Sequence, residues 1–343
     1  MTINRPLVAP VANPTLERAL REKLERRSGT MGHLGELATL AVQLGLVQNS
    51  LKPTFEAPQV VLFAADHGLA VEGLGASARH STTQQVRALL SLQLPLPIFA
   101  ELHGLALSVV DCGLAEAAPT HPRLLARKIA HATHSSLNRP AMSHDQLHAA
   151  FRAGMEIAAS LPGNAIACAG IGVGSTESAA LVLNRLSGLR IEELIGLDRR
   201  AEDVEAERLL TVLHAAQSRH REVLEPLDVL AAFGGFEAAV MVGAMLSAAS
   251  ERRLILVDGI PACAALMVAS SMAPAVTDYC LHCRSHGAPG LDAILRLFQA
   301  TALLELGIET MDGTGAALAW PLIKSAAAVM TEVADAPPHA AET

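Results

Sequence analysis

The sequence predicts an α/β fold: a Rossmann-like parallel sheet flanked by helices, with a small helical domain drawn from both chain ends. Three observations predict it. Short apolar runs alternate with stretches of helical periodicity from residue 60 onward. Several of those runs stop at a polar or glycine-rich turn, as at Asp66, Asp111, Asp258 and Gly170-Ile171-Gly172-Val173-Gly174. Helical regions flank this α/β body at either end.

In chain order, residues 1–14 are rich in proline and read as a mobile tail. Thr15–Arg27 is helical, with Leu16, Leu20 and Leu24 one turn apart. A glycine turn, Ser28–Gly32, separates it from a second helix over Leu34–Leu46. Val60–Ala64 is a strand ending at Ala65-Asp66-His67-Gly68, and Ser81–Leu92 is helical. Leu105–Val110 is a strand ending at Asp111. A helix within Met142–Ser160 starts from Ser143 as N-cap. Ala165–Ala169 is the strand that enters the glycine loop, with a helix opening at Glu177. Val204–His214 and Phe236–Ala249 are helices, and Leu254–Val257 is a strand ending at Asp258-Gly259. Asp278–Cys283 is a strand ending at Arg284-Ser285. A last helix follows Met311–Gly315 and is kinked or interrupted at Pro321. Domain bounds follow: 15–52 with 300–334 for the helical unit, 53–299 for the α/β body, and 335–343 as a second mobile tail.

Composition narrows the function. The chain has 343 residues, 51% hydrophobic and 17% charged, enough for a sizeable core. Its net charge of −8 is the wrong sign for a non-specific nucleic-acid binder. One Trp and one Tyr leave little for stacking on bases. The cysteines, Cys112, Cys168, Cys263, Cys280 and Cys283, lie in or beside apolar runs, as reduced buried thiols do. Cys280 and Cys283 form a lone C-x-x-C with no second ligand pair, so no metal site is expected. The longest uncharged runs, Ile157–Thr176 and Gly259–Thr277, are broken by proline, and no signal peptide stands at the start. A cytoplasmic protein without membrane spans is expected.

The glycine loop carries the chemistry. Strand, alternating glycines, then Ser175 and Thr176 before a helix is how a parallel sheet offers backbone N–H groups and a positive helix end to a phosphate. The other reading is a tight strand–helix turn without ligand. No lysine follows Gly174, which excludes the P-loop, and the third glycine comes one residue early for the dinucleotide fingerprint. Glu192 stands at the right distance for a ribose-binding acid but in a helical stretch. Asp66, Asp111 and Asp258 would gather at the carboxyl ends of the strands, where such sheets bind ligands; each also suits a turn.

The order of motifs resembles the nicotinate-nucleotide:dimethylbenzimidazole phosphoribosyltransferases from about Arg26 to Val333. The landmarks are Gly29-Thr30-Met31-Gly32, Ala65-Asp66-His67-Gly68 with Glu72-Gly73, Pro140-Ala141-Met142, Gly172–Thr176, Gly234-Gly235-Phe236-Glu237, Val257-Asp258-Gly259, Arg284-Ser285 with Pro289-Gly290, and Asp312–Ala316. The resemblance implies transfer of phosphoribose from nicotinate mononucleotide to a benzimidazole-like base, without a cofactor, in a homodimer. It implies a phosphate and ribose subsite at Gly172, Gly174, Ser175, Thr176, Arg208, Asp258 and Gly259. It implies a nicotinate subsite at Arg284 and Ser285, and a base pocket at Asp66, His67, Gly75, Gln84, Gly170, Ile171 and Met311. Asp312 stands where the family carries its catalytic glutamate, and as a residue it suits an N-cap equally well. His67 either moves a proton or is structural. The chain departs from the family pattern at Gly170, Gly75, His134 and Leu92–Pro97. Those departures suit a divergent member: a transferase for this or another aromatic acceptor, or a non-catalytic nucleotide-binding paralogue.

Overall fold

The structure, a computed structural model, describes residues 5–72, 80–196, 204–284, 290–308, 310 and 312–335. Two helices, α1 (Pro14–Met31) and α2 (Glu36–Val47), precede β1 (Gln59–Ala65), α3 (Thr82–Leu90), α4 (Pro95–His103), β2 (Ala106–Gly113) and β3 (Leu124–Ala126). Then come α5 (His144–Ser160), β4 (Ala165–Ile171), α6 (Ser175–Ser187), α7 (Ile191–Ile195) and α8 (Val204–Arg219). Next are α9 (Pro226–Phe233), α10 (Phe236–Ser250), β5 (Leu254–Asp258), α11 (Ile260–Met272) and β6 (Cys280–Arg284). The chain closes with α12 (Leu291–Phe298), β7 (Ala302–Leu304) and α13 (Thr314–Thr331).

The strands form one seven-stranded sheet in the order β3-β2-β1-β4-β5-β6-β7, with every neighbouring pair parallel. The expected α/β class holds. The chain builds outward from β1 in one direction and from β4 in the other. The order therefore reverses between β1 and β4, and a crevice opens there at the carboxyl ends. Those two strands end in Asp66-His67 and in the glycine loop. Every residue of β1, β4, β5 and β6 is buried. That is why they read as unbroken apolar runs with no alternation.

Several elements differ from the sequence expectation, each for a local reason. Helix α1 runs through Gly29 to Met31, and the turn is confined to Gly32, its C-cap with φ +76°. Helix α4 was not foreseen: Pro95 and Pro97 fall in its first turn, where a missing N–H costs nothing. Helix α11 is buried on nearly every side, so no polar face betrays its period. A short 3-10 turn, Pro274–Tyr279, delays β6 to Cys280. Helix α13 continues past Pro321. Residues 302–304, placed with the helical unit, instead form edge strand β7.

The two chain ends meet. Arg27 of α1 donates from Nη1 to the Val329 carbonyl of α13 at 2.5 Å and from Nε to Asp335 at 2.8 Å. Leu20, Leu44 and Trp320 join the same buried apolar cluster as the sheet. Residues 5–13, read as tail, lie against the body: Val8 is buried and the Ala9 carbonyl accepts from the Tyr279 hydroxyl at 2.7 Å. A buried phenol needs such a partner. Residues 1–4 and 336–343 lie outside the described residues. Among the described residues no helix is long and apolar enough to cross a membrane.

Helices α5 and α10 cross at van der Waals distance because two glycines face the neighbouring backbone. A Cβ on Gly154 would sit 1.9 Å from the Val240 carbonyl oxygen, and one on Gly243 would sit 2.0 Å from that of Phe151. Gly243→Ala should therefore destabilise the fold by about 1–3 kcal/mol in urea titration. Helix propensity alone would stabilise by up to about 1 kcal/mol, so a gain in stability would contradict this packing.

Candidate active site

The glycine loop is moulded by its neighbours. A Cβ on Gly172 would fall 1.9 Å from the Ala65 carbonyl oxygen, so the loop can lie across the end of β1 only with glycine there. Gly174 takes φ +89° and is the N-cap of α6, with no side-chain cap over the helix end. Within the first turn the Ser175 N–H donates to the Gly172 carbonyl at 3.1 Å. Ser175 and Thr176 stand in that turn. So does Glu177, whose carboxyl is pushed up in pKa by burial.

Asp66 ties the loop to α3. Its Oδ1 accepts from the Thr82 hydroxyl, which in turn accepts from the Val173 N–H at 3.0 Å. Its Oδ2 accepts from the Ala115 N–H at 2.8 Å. Both carboxylate oxygens are therefore occupied by the protein.

Beneath the loop lies a buried pair. His67 Nε2 stands 3.0 Å from Glu237 Oε1, out of line for a hydrogen bond but in charge contact, and both side chains are about 1% exposed. The Ser175 hydroxyl donates to the same Oε1 at 3.0 Å. Burial alone would lower the His67 pKa. Glu237, with Asp66 and Glu177 beyond it, outweighs burial and holds the value above the usual histidine range. Backbone wraps this pair closely. A Cβ on Gly235 would lie 2.1 Å from Glu237 Oε2 and 2.3 Å from His67 Cε1, and one on Gly174 3.1 Å from His67 Cβ.

The third part is the start of α13. Asp258, at the end of β5, accepts from Arg284 Nε at 2.6 Å and from the Ala316 N–H at 3.0 Å. Burial pushes its pKa up, and Arg284 and the amide pull it back. Arg284 also donates from Nη1 to the Ile308 carbonyl, while its Nη2 is buried without a partner among the described residues. Gly315 has no room for a Cβ, which would come 2.8 Å from Arg284 Cδ. Asp312 lies two residues before the helix. Its Oδ1 accepts from the Thr314 N–H at 3.2 Å and from the Thr314 hydroxyl at 2.6 Å. No bond from the described residues reaches its Oδ2.

A cavity of about 820 Å³ opens at these carboxyl ends. It brings together Gly170, Ile171, Gly172, Ser175 and Thr176 from the loop side with Gln84 and Asp312. Asp66, His67, Gly174, Asp258, Gly259 and Arg284 do not line it. Arg208 is exposed on α8 and does not reach it. Gly75, Ser285 and Met311 lie outside the described residues. The lining also includes Gln93 and Leu94, from the Leu92–Pro97 segment where the chain departs from the family pattern, and His80, Gln85, Pro261 and Thr310, which were not foreseen as site residues. Gln85 could have been found from Gln84, its neighbour at the start of α3. Glu237 was visible only as part of the Gly-Gly-Phe-Glu landmark, with nothing to pair it with His67. Asp312 is the single carboxylate among the described residues lining the cavity.

A family model described as "Phosphoribosyltransferase" matches residues 9–337. A protein of Variovorax paradoxus named nicotinate-nucleotide–dimethylbenzimidazole phosphoribosyltransferase is 39% identical over 329 residues, covering 96% of this chain and 94% of its own. One of Cupriavidus taiwanensis with the same name is 40% identical over 328 residues, covering 95% of each chain. A crystal structure of the Thermus thermophilus enzyme of that name superposes with a TM-score of 0.86 at 29% identity, over 93% of this chain and 96% of that one.

The His67–Glu237 pair has a pH consequence. Because His67 is raised when folded, its contribution to stability is full below the ordinary histidine value of about 6.5 and is lost as pH rises through the folded one. His134, His220 and His282 are lowered, the last to about 4, so their contributions are lost on acidification instead. The urea midpoint should fall from pH 6 to pH 9 in the wild type, and the fall should shrink in His67→Gln. An equal fall in both proteins would show that His67 does not titrate in that range.

Proposed function

The chain belongs to the nicotinate-nucleotide–dimethylbenzimidazole phosphoribosyltransferase family, and on that footing we propose that it transfers phosphoribose from nicotinate mononucleotide to a benzimidazole-like base. One observation supports this reading above the others. A single cavity joins an uncapped helix N-terminus, suited to the 5′-phosphate, with one carboxylate whose second oxygen is uncommitted.

The chemistry asks for those two groups. The lone pair of a ring nitrogen of the base attacks C1 of the ribose, and the bond to nicotinate breaks from the opposite face. Nicotinate departs as a neutral pyridine nitrogen and needs no acid. The attacking base becomes cationic and must release its remaining N–H proton, which Asp312 Oδ2 accepts as general base. Anchoring the phosphate at Gly172–Thr176 holds C1 toward the incoming nitrogen. The product is an α-ribazole phosphate, the precursor of the lower nucleotide of cobalamin. Asp258 and Arg284 act one step back: they hold the start of α13, and so Asp312, against the sheet. Family membership also implies a homodimer. All five cysteines are buried and unpaired, which fits a reducing, cytoplasmic setting.

Asp312→Asn tests the central assignment. Asn still accepts the Thr314 bonds but cannot take a proton. Release of nicotinate from nicotinate mononucleotide in the presence of dimethylbenzimidazole should fall by roughly 10²–10⁴. Melting temperature and nucleotide affinity by calorimetry should stay close to wild type. Wild-type turnover in the Asn variant would reduce Asp312 to a helix cap. Absence of nicotinate release from the unaltered protein would overturn the transferase reading itself.

A further inference from the structure

We infer that Glu237 and His67 are positioning residues that fix the Ser175 hydroxyl as a hydrogen-bond acceptor, so that Ser175 reads a ribose hydroxyl of the nucleotide and not its phosphate. The inference rests on the function proposed above and says which part of that substrate meets Ser175.

Hydrogen-bond accounting carries it. A serine hydroxyl has one proton to donate and lone pairs to accept with. That proton goes to Glu237 Oε1 at 3.0 Å. A carboxylate oxygen has none to return. Ser175 lines the cavity with lone pairs only. A phosphate oxygen, itself an acceptor, would meet it unfavourably, whereas a sugar hydroxyl can donate to it.

The arrangement is also hard to reverse. If Ser175 turned its proton to a ligand, Glu237 would keep only the off-line contact with His67, and its Oε2 is already without a partner. A buried carboxylate stripped of its last aligned donor is costly.

The test compares specificity constants for nicotinate mononucleotide and its 2′-deoxy and 3′-deoxy analogues. The wild type should prefer the full ribose over at least one analogue by roughly tenfold, the usual worth of an acceptor left unpaired. In Ser175→Ala that ratio should collapse toward one while the melting temperature holds. Glu237→Ala, which frees the serine proton, should relax the ratio in the same direction. If Ser175 met the phosphate, Ser175→Ala would lower activity on all three nucleotides equally and leave the ratios intact. That result, or a wild-type ratio in either variant, overturns the assignment. A wild-type protein inert toward nicotinate mononucleotide would instead overturn the function on which it rests.

Discussion

An imidazole and a carboxylate buried together under a glycine loop are the constraint from which the site follows. Neither His67 nor Glu237 has access to water, and each alone would be an uncompensated polar group in the core. Together they also need close-fitting backbone around them. Gly235, with its missing side chain, admits the pair from the α10 side, and Gly174 lets the loop pass over His67. The loop can then turn into α6 at Gly174. The glycines thus serve the ion pair as much as any ligand.

A second buried pair repeats the principle at the other wall. Asp258 and Arg284 lie at the ends of β5 and β6, and their contact is completed by the Ala316 N–H at the start of α13. The last helix is thereby docked on the sheet by charge at its N-terminus, where a carboxylate also suits the helix dipole. Charged groups at the strand ends therefore divide in two. Asp66 and Asp258 are spent on architecture, while Asp312, brought in by the docked helix, keeps one oxygen open. Rigid support behind a sparsely charged cavity suits chemistry that needs one well-placed base and a fixed phosphate.

Much of this was legible in the sequence. Buried parallel strands announce themselves as apolar runs, and the reversal of strand order places their ends where the polar turns fall. The glycine loop was readable because its composition answers to backbone geometry. What was not legible shares a cause too. Asp258 and Arg284 were read as ligand contacts and their pairing was not, since a charged residue after an apolar run looks the same whether it faces substrate or a partner 26 positions away. Pairing at that range has no sequence period. His67 and Glu237, 170 residues apart, were out of reach for the same reason. Helix α4 escaped because its prolines, harmless in a first turn, mimic a loop.

A crystal structure of the protein with nicotinate mononucleotide bound would test the account most directly. The phosphate should lie at the start of α6, a ribose hydroxyl on Ser175, and C1 should face the open oxygen of Asp312 across the cavity. A nucleotide bound away from the carboxyl ends of β1 and β4, or one with its phosphate turned toward Asp312, would contradict it.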